Sequence, residues 1–196
     1  MLLWLDLETT GLEPTKDEIL EVAWTVTDGH LHSHGPSLRD EQISSRVVHP
    51  SARGKKRLDA NTFVTAMHAN SGLSDELLGG LRVSDVENEI LATLDANSNG
   101  DTWFLAGASV HFDLAFLRVW MPRLAARLSH RVYDTSTLKA FFEALRTPVS
   151  HGVVNTGQHR AANDVVEVLA VARAYDEWAN RAFKSLVTAA MPKLSD

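Results

Sequence analysis

The chain has 196 residues, 44% of them hydrophobic, no cysteine and a formal net charge of −6. That length supports one core without covalent staples, and the missing thiols exclude disulfides, thiolate zinc sites and cysteine nucleophiles, which fits a reducing cytoplasm. The acidic balance excludes a protein that coats long duplex DNA, whose affinity rests on many phosphates neutralised by Lys and Arg, and it favours short ligands.

The apolar run Met1 to Leu5 meets Asp6 too soon for a signal peptide or a membrane span, so the expectation is an untargeted cytoplasmic protein with no membrane association. Leu2 to Leu7 reads as a strand followed by the turn signal Thr10-Gly11, and Glu18 to Asp28 as a second strand ending at Asp28-Gly29. Gly29 to His34 reads as a third strand, completing an antiparallel meander. Its alternate histidines His30, His32 and His34 would share a face, which suits an exposed edge strand better than a metal site. From Gly35 to Thr62 the chain is polar, with Pro36, Pro50, Gly54 and the basic run Arg53 to Arg57, and reads as an irregular loop.

Val83 to Ala96 has helical spacing, Thr102 to Ala108 is a short apolar strand, and Phe112 to Leu128 returns to helix with Leu114, Leu117 and Met121 near one face. A strand at Arg131 to Tyr133, a helix from Ser136 to Leu145 and a long helix from Ala161 to Asn180 follow. The order implies an α/β fold, a mixed sheet covered by helices, with one domain over residues 1–180 and a C-terminal tail over 181–196.

In Leu5-Asp6-Leu7-Glu8, residues two apart share a strand face, so Asp6 and Glu8 project together while Leu5 and Leu7 enter the core. Two neighbouring acids repel unless a hard divalent cation, Mg²⁺ or Mn²⁺, takes their oxygens as ligands. A second segment, Ala106 to Leu117, leads from an apolar strand into a helix with Asp113 in its first turn, and a third, His159-Arg160-Ala161-Ala162-Asn163-Asp164, opens the long helix. A first-turn carboxylate alone is an ordinary partner of the helix dipole. Ser109, His111 and Asp113 carry the letters of a hydrolytic triad, but there is no G-x-S-x-G elbow and alternate residues cannot build its geometry.

Taken in order, D-x-E-T-T-G-L, h-h-G-x-x-x-x-F-D-x-x-F-L and H-x(4)-D resemble the three motifs of the DEDDh 3′→5′ exonucleases. The resemblance implies a ribonuclease H-like fold, two divalent metal ions held by Asp6, Glu8, Asp113 and Asp164, and His159 as general base. The four-residue gap after the histidine selects Asp164 over Asn163. Such a site suits phosphodiester hydrolysis, which needs a water activated on one side and a leaving oxygen stabilised on the other, and an imidazole titrating near neutrality suits the proton transfer.

Beyond those motifs, Trp4 to Leu12, His68 to Leu73, Met121 to Leu124 and Tyr133 to Lys139 are similar to the oligoribonuclease family, which cleaves the shortest RNA fragments. That resemblance implies short single-stranded RNA as substrate, with Leu12 wedged between two bases, Phe63 stacked on one where the family usually carries tryptophan, and His68 lining the pocket. It also implies a homodimer whose partner subunit caps the 5′ phosphate through the positions Ser109, Arg131, Ser136 and Thr137; Ser136 also suits a helix N-cap. Val110-His111-Phe112 before Asp113 looks equally like the DNA-proofreading exonucleases, so an exonuclease acting on single-stranded DNA is the alternative.

Overall fold

The computed structural model describes residues 1–31, 42–98, 100–146 and 159–190. Its centre is β1 (Leu2–Thr9), which pairs antiparallel with β2 (Ile19–Thr27) and parallel with β4 (Trp103–Gly107). Outside them lie β3 (Ser44–Val47), antiparallel to β2, and β5 (Leu128–Asp134), parallel to β4, so the order is β3-β2-β1-β4-β5. The expected mixed sheet with flanking helices is therefore the fold observed.

Both faces of β1 are covered, and its alternation sorts the two cores. Leu3, Leu5 and Leu7 join the larger core with Val86, Ile90 and Leu94 of α4 (Val83–Ala96), Phe116 and Leu117 of α5 (His111–Trp120), and Leu124 of α6 (Pro122–Arg127). On the other face Leu2 and Trp4 meet Ala161, Val165, Leu169 and Ala172 of a long helix, Ala161–Ala190, whose helical spacing makes one apolar stripe. Asp6 and Glu8 continue that second face, so the strand turns acidic where this helix begins.

The third strand lies elsewhere than expected. After Thr27 the Asp28 side chain accepts from the His30 amide at 2.8 Å and the Leu31 amide turns back to the Asp28 carbonyl at 3.3 Å, an aspartate-closed turn in place of a strand. Residues 32–34, with His32 and His34, lie outside the described residues. The strand that pairs with β2 is Ser44–Val47, inside the stretch read as loop.

That stretch also holds α1 (Ala52–Ala60), which carries the basic run, and it leads into α2 (Thr62–Asn70), the short α3 (Leu73–Glu76) and a 3-10 turn. Helix α1 buries only Gly54 and Leu58, too little apolar surface to show as a period. Its start is fixed by Ser51, whose Oγ accepts from Gly54 N at 3.1 Å while its amide donates to buried Glu18 at 2.8 Å.

The helix expected over Phe112 to Leu128 is two helices, because Pro122 pushes Met121 out of helical geometry, to φ −134° and ψ 60°. Glu87 then accepts from the Arg123 and Leu124 amides at 2.8 and 3.0 Å, restarting the chain as α6. The next helix, α7 (Thr135–Ala144), is capped by Asp134 and not by Ser136: the Asp134 carboxylate accepts from the Ser136 amide at 2.8 Å. The last helix, α8, is the Ala161–Ala190 element, which runs past the boundary expected at residue 180. No helix among the described residues is long and apolar enough to cross a membrane.

Candidate active site

Strand alternation aims Asp6 and Glu8 at the first turn of α8, and Asp164 meets them there. Ligand oxygens of the three lie within 4.8 Å of one another. Asp113, buried in the first turn of α5, completes the acidic group from the β4 side. The ladder between β1 and β4 ends at Trp4↔Ala106, and beyond it the Leu7 amide donates to the Asp113 carboxylate. Gly107 eases the approach, since a Cβ there would sit 3.1 Å from the Leu5 carbonyl oxygen, tighter than an ordinary contact.

These acids are costly as the chain alone holds them. Burial, then the charges of Asp113, Asp164 and Glu8, raises Asp6 well above the usual carboxylate range. Burial first, then Asp164 and Glu21, pushes Glu8 up to about 8. Asp113 rises to about 7 through burial, against the backbone amides that bind it, and Asp164 to about 6 through burial and Glu167, against the charge of His159. A set of hard oxygen donors that repel one another this strongly fits a divalent cation.

His159 precedes α8 with a φ of 44°, a left-handed conformation uncommon outside glycine, and is exposed. Together with Phe63, Ala66, Met67, Asn70, Ser71 and Arg160 it lines a cleft of about 650 Å³. Phe63 is 76% exposed on α2 and Leu12 is 79% exposed in the turn after β1, two large apolar side chains left in solvent. The Leu12 turn is held from beneath: Asp17 accepts from Thr10 Oγ1 at 3.2 Å, from the Glu13 amide at 2.9 Å and from Arg57 Nε at 2.9 Å. Burial works to raise Asp17, and these hydrogen bonds, Arg57 first, outweigh it and leave it below its ordinary value. Gly11 is required there, because a Cβ would lie 2.6 Å from Asp17 Oδ2.

His68, expected to line the pocket, is fully buried behind Glu8. Its Nε2 lies 3.0 Å from the Thr9 carbonyl oxygen, which can only accept, so Nε2 carries the proton and Nδ1 is bare, 3.9 Å from Glu8 Oε2. Burial lowers the His68 pKa, which favours the neutral ring. Ser109 and Ser136 come together at the ends of β4 and β5: the Ser109 amide donates to Asp134 Oδ1 and Ser136 Oγ, both at 3.1 Å, and Ser109 has φ 52°. Arg131 on edge strand β5 and Thr137 on α7 are exposed, and neither is among the cleft-lining residues.

Three residues of this region escape a reading by motif. Glu21 lies opposite Glu8 across the β1–β2 ladder, and Arg160 joins it to Glu76 at the end of α3. The available signal was a single glutamate inside the apolar run of β2.

A model of the exonuclease family matches residues 3–172. Oligoribonuclease of Neisseria meningitidis serogroup B is 32% identical over 177 residues, covering 90% of both chains, and that of Chromobacterium violaceum is 34% identical over 183 residues, covering 90% of this chain and 93% of the relative. The oligoribonuclease of Tropheryma whipplei is 35% identical, covering 90% and 91%. Among solved structures, the zinc-bound complex of E. coli ExoI with ssDNA aligns at a TM-score of 0.68 and 17% identity, covering 95% of this chain. The chain spans about two fifths of that structure's length, 42%, and the likeness there is one of fold. A matched domain over most of the chain, with full-length relatives above 30% identity, places the chain in the oligoribonuclease family of exonucleases.

Proposed function

We propose that this chain is a metal-dependent 3′→5′ exoribonuclease that converts short single-stranded RNA, dinucleotides above all, to 5′-mononucleotides in the cytoplasm. The observation that carries the reading is the convergence of Asp6, Glu8 and Asp164 within 4.8 Å, with Asp113 beside them, next to an open cleft that His159 lines. Those four acids would hold two divalent cations, Mg²⁺ or Mn²⁺. When bound, such a pair supplies charge stabilisation on both sides of an in-line displacement at phosphorus.

The chain's own residues supply the rest. His159 takes the proton of the attacking water on its imidazole, and the exposed lip of the cleft receives the bases. Leu12 and Phe63, standing in solvent, bury apolar area only when a base covers them, and stacking is indifferent to base identity. Phe63→Ala therefore raises the dinucleotide KM by roughly 5- to 100-fold with little effect on the pH profile, as loss of one stacked base implies. A homodimer would bring Ser109, Arg131, Ser136 and Thr137 of one subunit to the 5′ phosphate held by the other, closing the pocket to longer chains by a charge-assisted contact.

The test is a degradation series on 5′-labelled RNA and DNA from two to about twenty nucleotides with Mn²⁺, on a length scale set by how few bases the site stacks. RNA dinucleotides should be hydrolysed fastest, and Arg131→Ala should remove that advantage. Equal rates on a dinucleotide and a twenty-mer would remove the short-RNA reading, and faster cleavage of DNA would favour the single-stranded DNA alternative.

A further inference from the structure

The guanidinium of Arg160, next to the base His159, is occupied on both edges. Toward the sheet, Nε donates to Glu21 Oε2 at 3.1 Å and Nη2 to Glu21 Oε1 at 2.9 Å. Toward solvent, Nη1 donates to Glu76 Oε1 at 2.8 Å and Nη2 to Glu76 Oε2 at 3.1 Å. The two glutamates differ in environment: the Glu21 side chain is 1% exposed and the Glu76 side chain 50%. Glu21 is also fixed from two further sides, by Ser45 Oγ at 2.9 Å and by the Ala161 amide at 3.1 Å.

An arginine held this way has little left to offer a phosphate, and its main chain does something else. The Arg160 carbonyl accepts from the Asn163 and Asp164 amides at 2.9 and 3.2 Å, so it is the point from which α8 starts. Immediately before it, His159 holds a φ of 44°, a conformation that persists only where neighbours determine it. Beyond Glu76, the same helical layer carries Phe63, Met67 and Asn70 on the cleft wall.

We propose that Glu21, Arg160 and Glu76 form a positioning clamp that holds His159 in its working orientation and ties the cleft wall to the acidic centre. The clamp deepens the proposed exonuclease reading and rests on it for its kinetic consequences. Only arginine can serve, because its rigid fork donates paired hydrogen bonds to two carboxylates at once and a lysine ammonium cannot. The outer latch, Glu76, is exposed and can be altered with little risk to folding, whereas Glu21 is buried and cannot.

The experiment compares dinucleotide hydrolysis, at saturating Mn²⁺ and well below each protein's Tm, by wild type, Arg160→Lys, Glu76→Gln, His159→Asn and the Arg160→Lys/His159→Asn pair. Asparagine tolerates the left-handed backbone and cannot act as the base. Arg160→Lys should lower kcat at least about tenfold and Glu76→Gln about threefold or more, with KM changed by less than about threefold in each, the pattern of a lost transition-state interaction. In the His159→Asn background Arg160→Lys should have no further effect, because the clamp acts through the histidine. A KM rise in Arg160→Lys would make Arg160 a substrate contact, and a full loss persisting in the His159→Asn background would show that it does not act through the histidine; either overturns the assignment of His159 as the group the clamp positions. Amide exchange at Asn163 and Asp164 needs no substrate and decides the matter even for a wild type that hydrolyses no RNA. Glu76→Gln should speed it about fivefold or more, since the latch stabilises the first turn of α8, and unchanged exchange would overturn the proposal.

Discussion

Two groups of buried and half-buried acids in this molecule are treated in opposite ways. Glu87, in α4, accepts two hydrogen bonds from the Arg123 guanidinium, at 2.7 and 2.9 Å, and two from the backbone at the start of α6. Asp17 and Glu18 are likewise met by Arg57, Thr10 and Ser51. Among the described residues, the group of Asp6, Glu8, Asp113 and Asp164 has its burial and its mutual repulsion without a matching set of bound arginines, and its pKa values rise accordingly. Where arginines neutralise the structural acids, the proposed divalent cation would take that place at these four.

The largest effect that would break the comparison is at Asp164. Asp164→Asn should lower turnover by about a thousandfold or more, as loss of a proposed metal ligand and of its charge at the reacting centre implies. The metal-free variant should unfold at the same or a higher temperature than wild type, because one of the repelling charges is gone. A destabilised but active variant would mean that the acids are structural after all.

A smaller effect sharpens the contrast through pH. In the metal-free protein the folded-state pKa values of Glu8, Asp113 and Asp164, about 8, 7 and 6, lie above the ordinary values of 4.5, 3.8 and 3.8. Over that window, roughly pH 4 to pH 8, the folded chain retains protons that the unfolded chain has released, so these acids lower stability as pH rises. A cation that keeps them ionised removes the effect and displaces the protons. The gain in Tm on adding Mn²⁺ should therefore grow from about pH 5 to about pH 8, and a gain that is flat over that range would contradict the assignment.

The smallest effect lies on the neutralised side. Glu87→Ala should cost about 1–3 kcal/mol of stability, measured by urea unfolding, because the α6 amides lose their acceptor. The folded fraction should turn over substrate at the wild-type rate. A loss of activity there would show that the two sets of acids are not separable.

The sequence made the acidic centre legible because its residues are tied to local periodicity: Asp6 and Glu8 are two apart on a strand, and Asp113 and Asp164 stand in first helical turns. The sheet followed from the same periods, apart from the displaced third strand. What stayed hidden depends on contacts far apart in the chain. Arg160 and Glu21 are 139 positions apart, and neither announces the other. Helix α1 was hidden for a different reason, since its two buried residues leave a composition like that of a loop. The break at Met121 was legible in Pro122 and overridden by the apolar pattern around it, a case in which backbone sterics outrank periodicity.

In the proposed reading the four repelling acids are completed by divalent cation, and the completed site hydrolyses RNA from its 3′ end. Titrating Mn²⁺ into the metal-free protein while recording both Tm and mononucleotide release from an RNA dinucleotide tests it directly. The two signals should rise over the same concentration range in wild type, and Asp164→Asn should lose both. Hydrolysis that proceeds without divalent metal, or a Tm that ignores Mn²⁺ while activity appears, would contradict it.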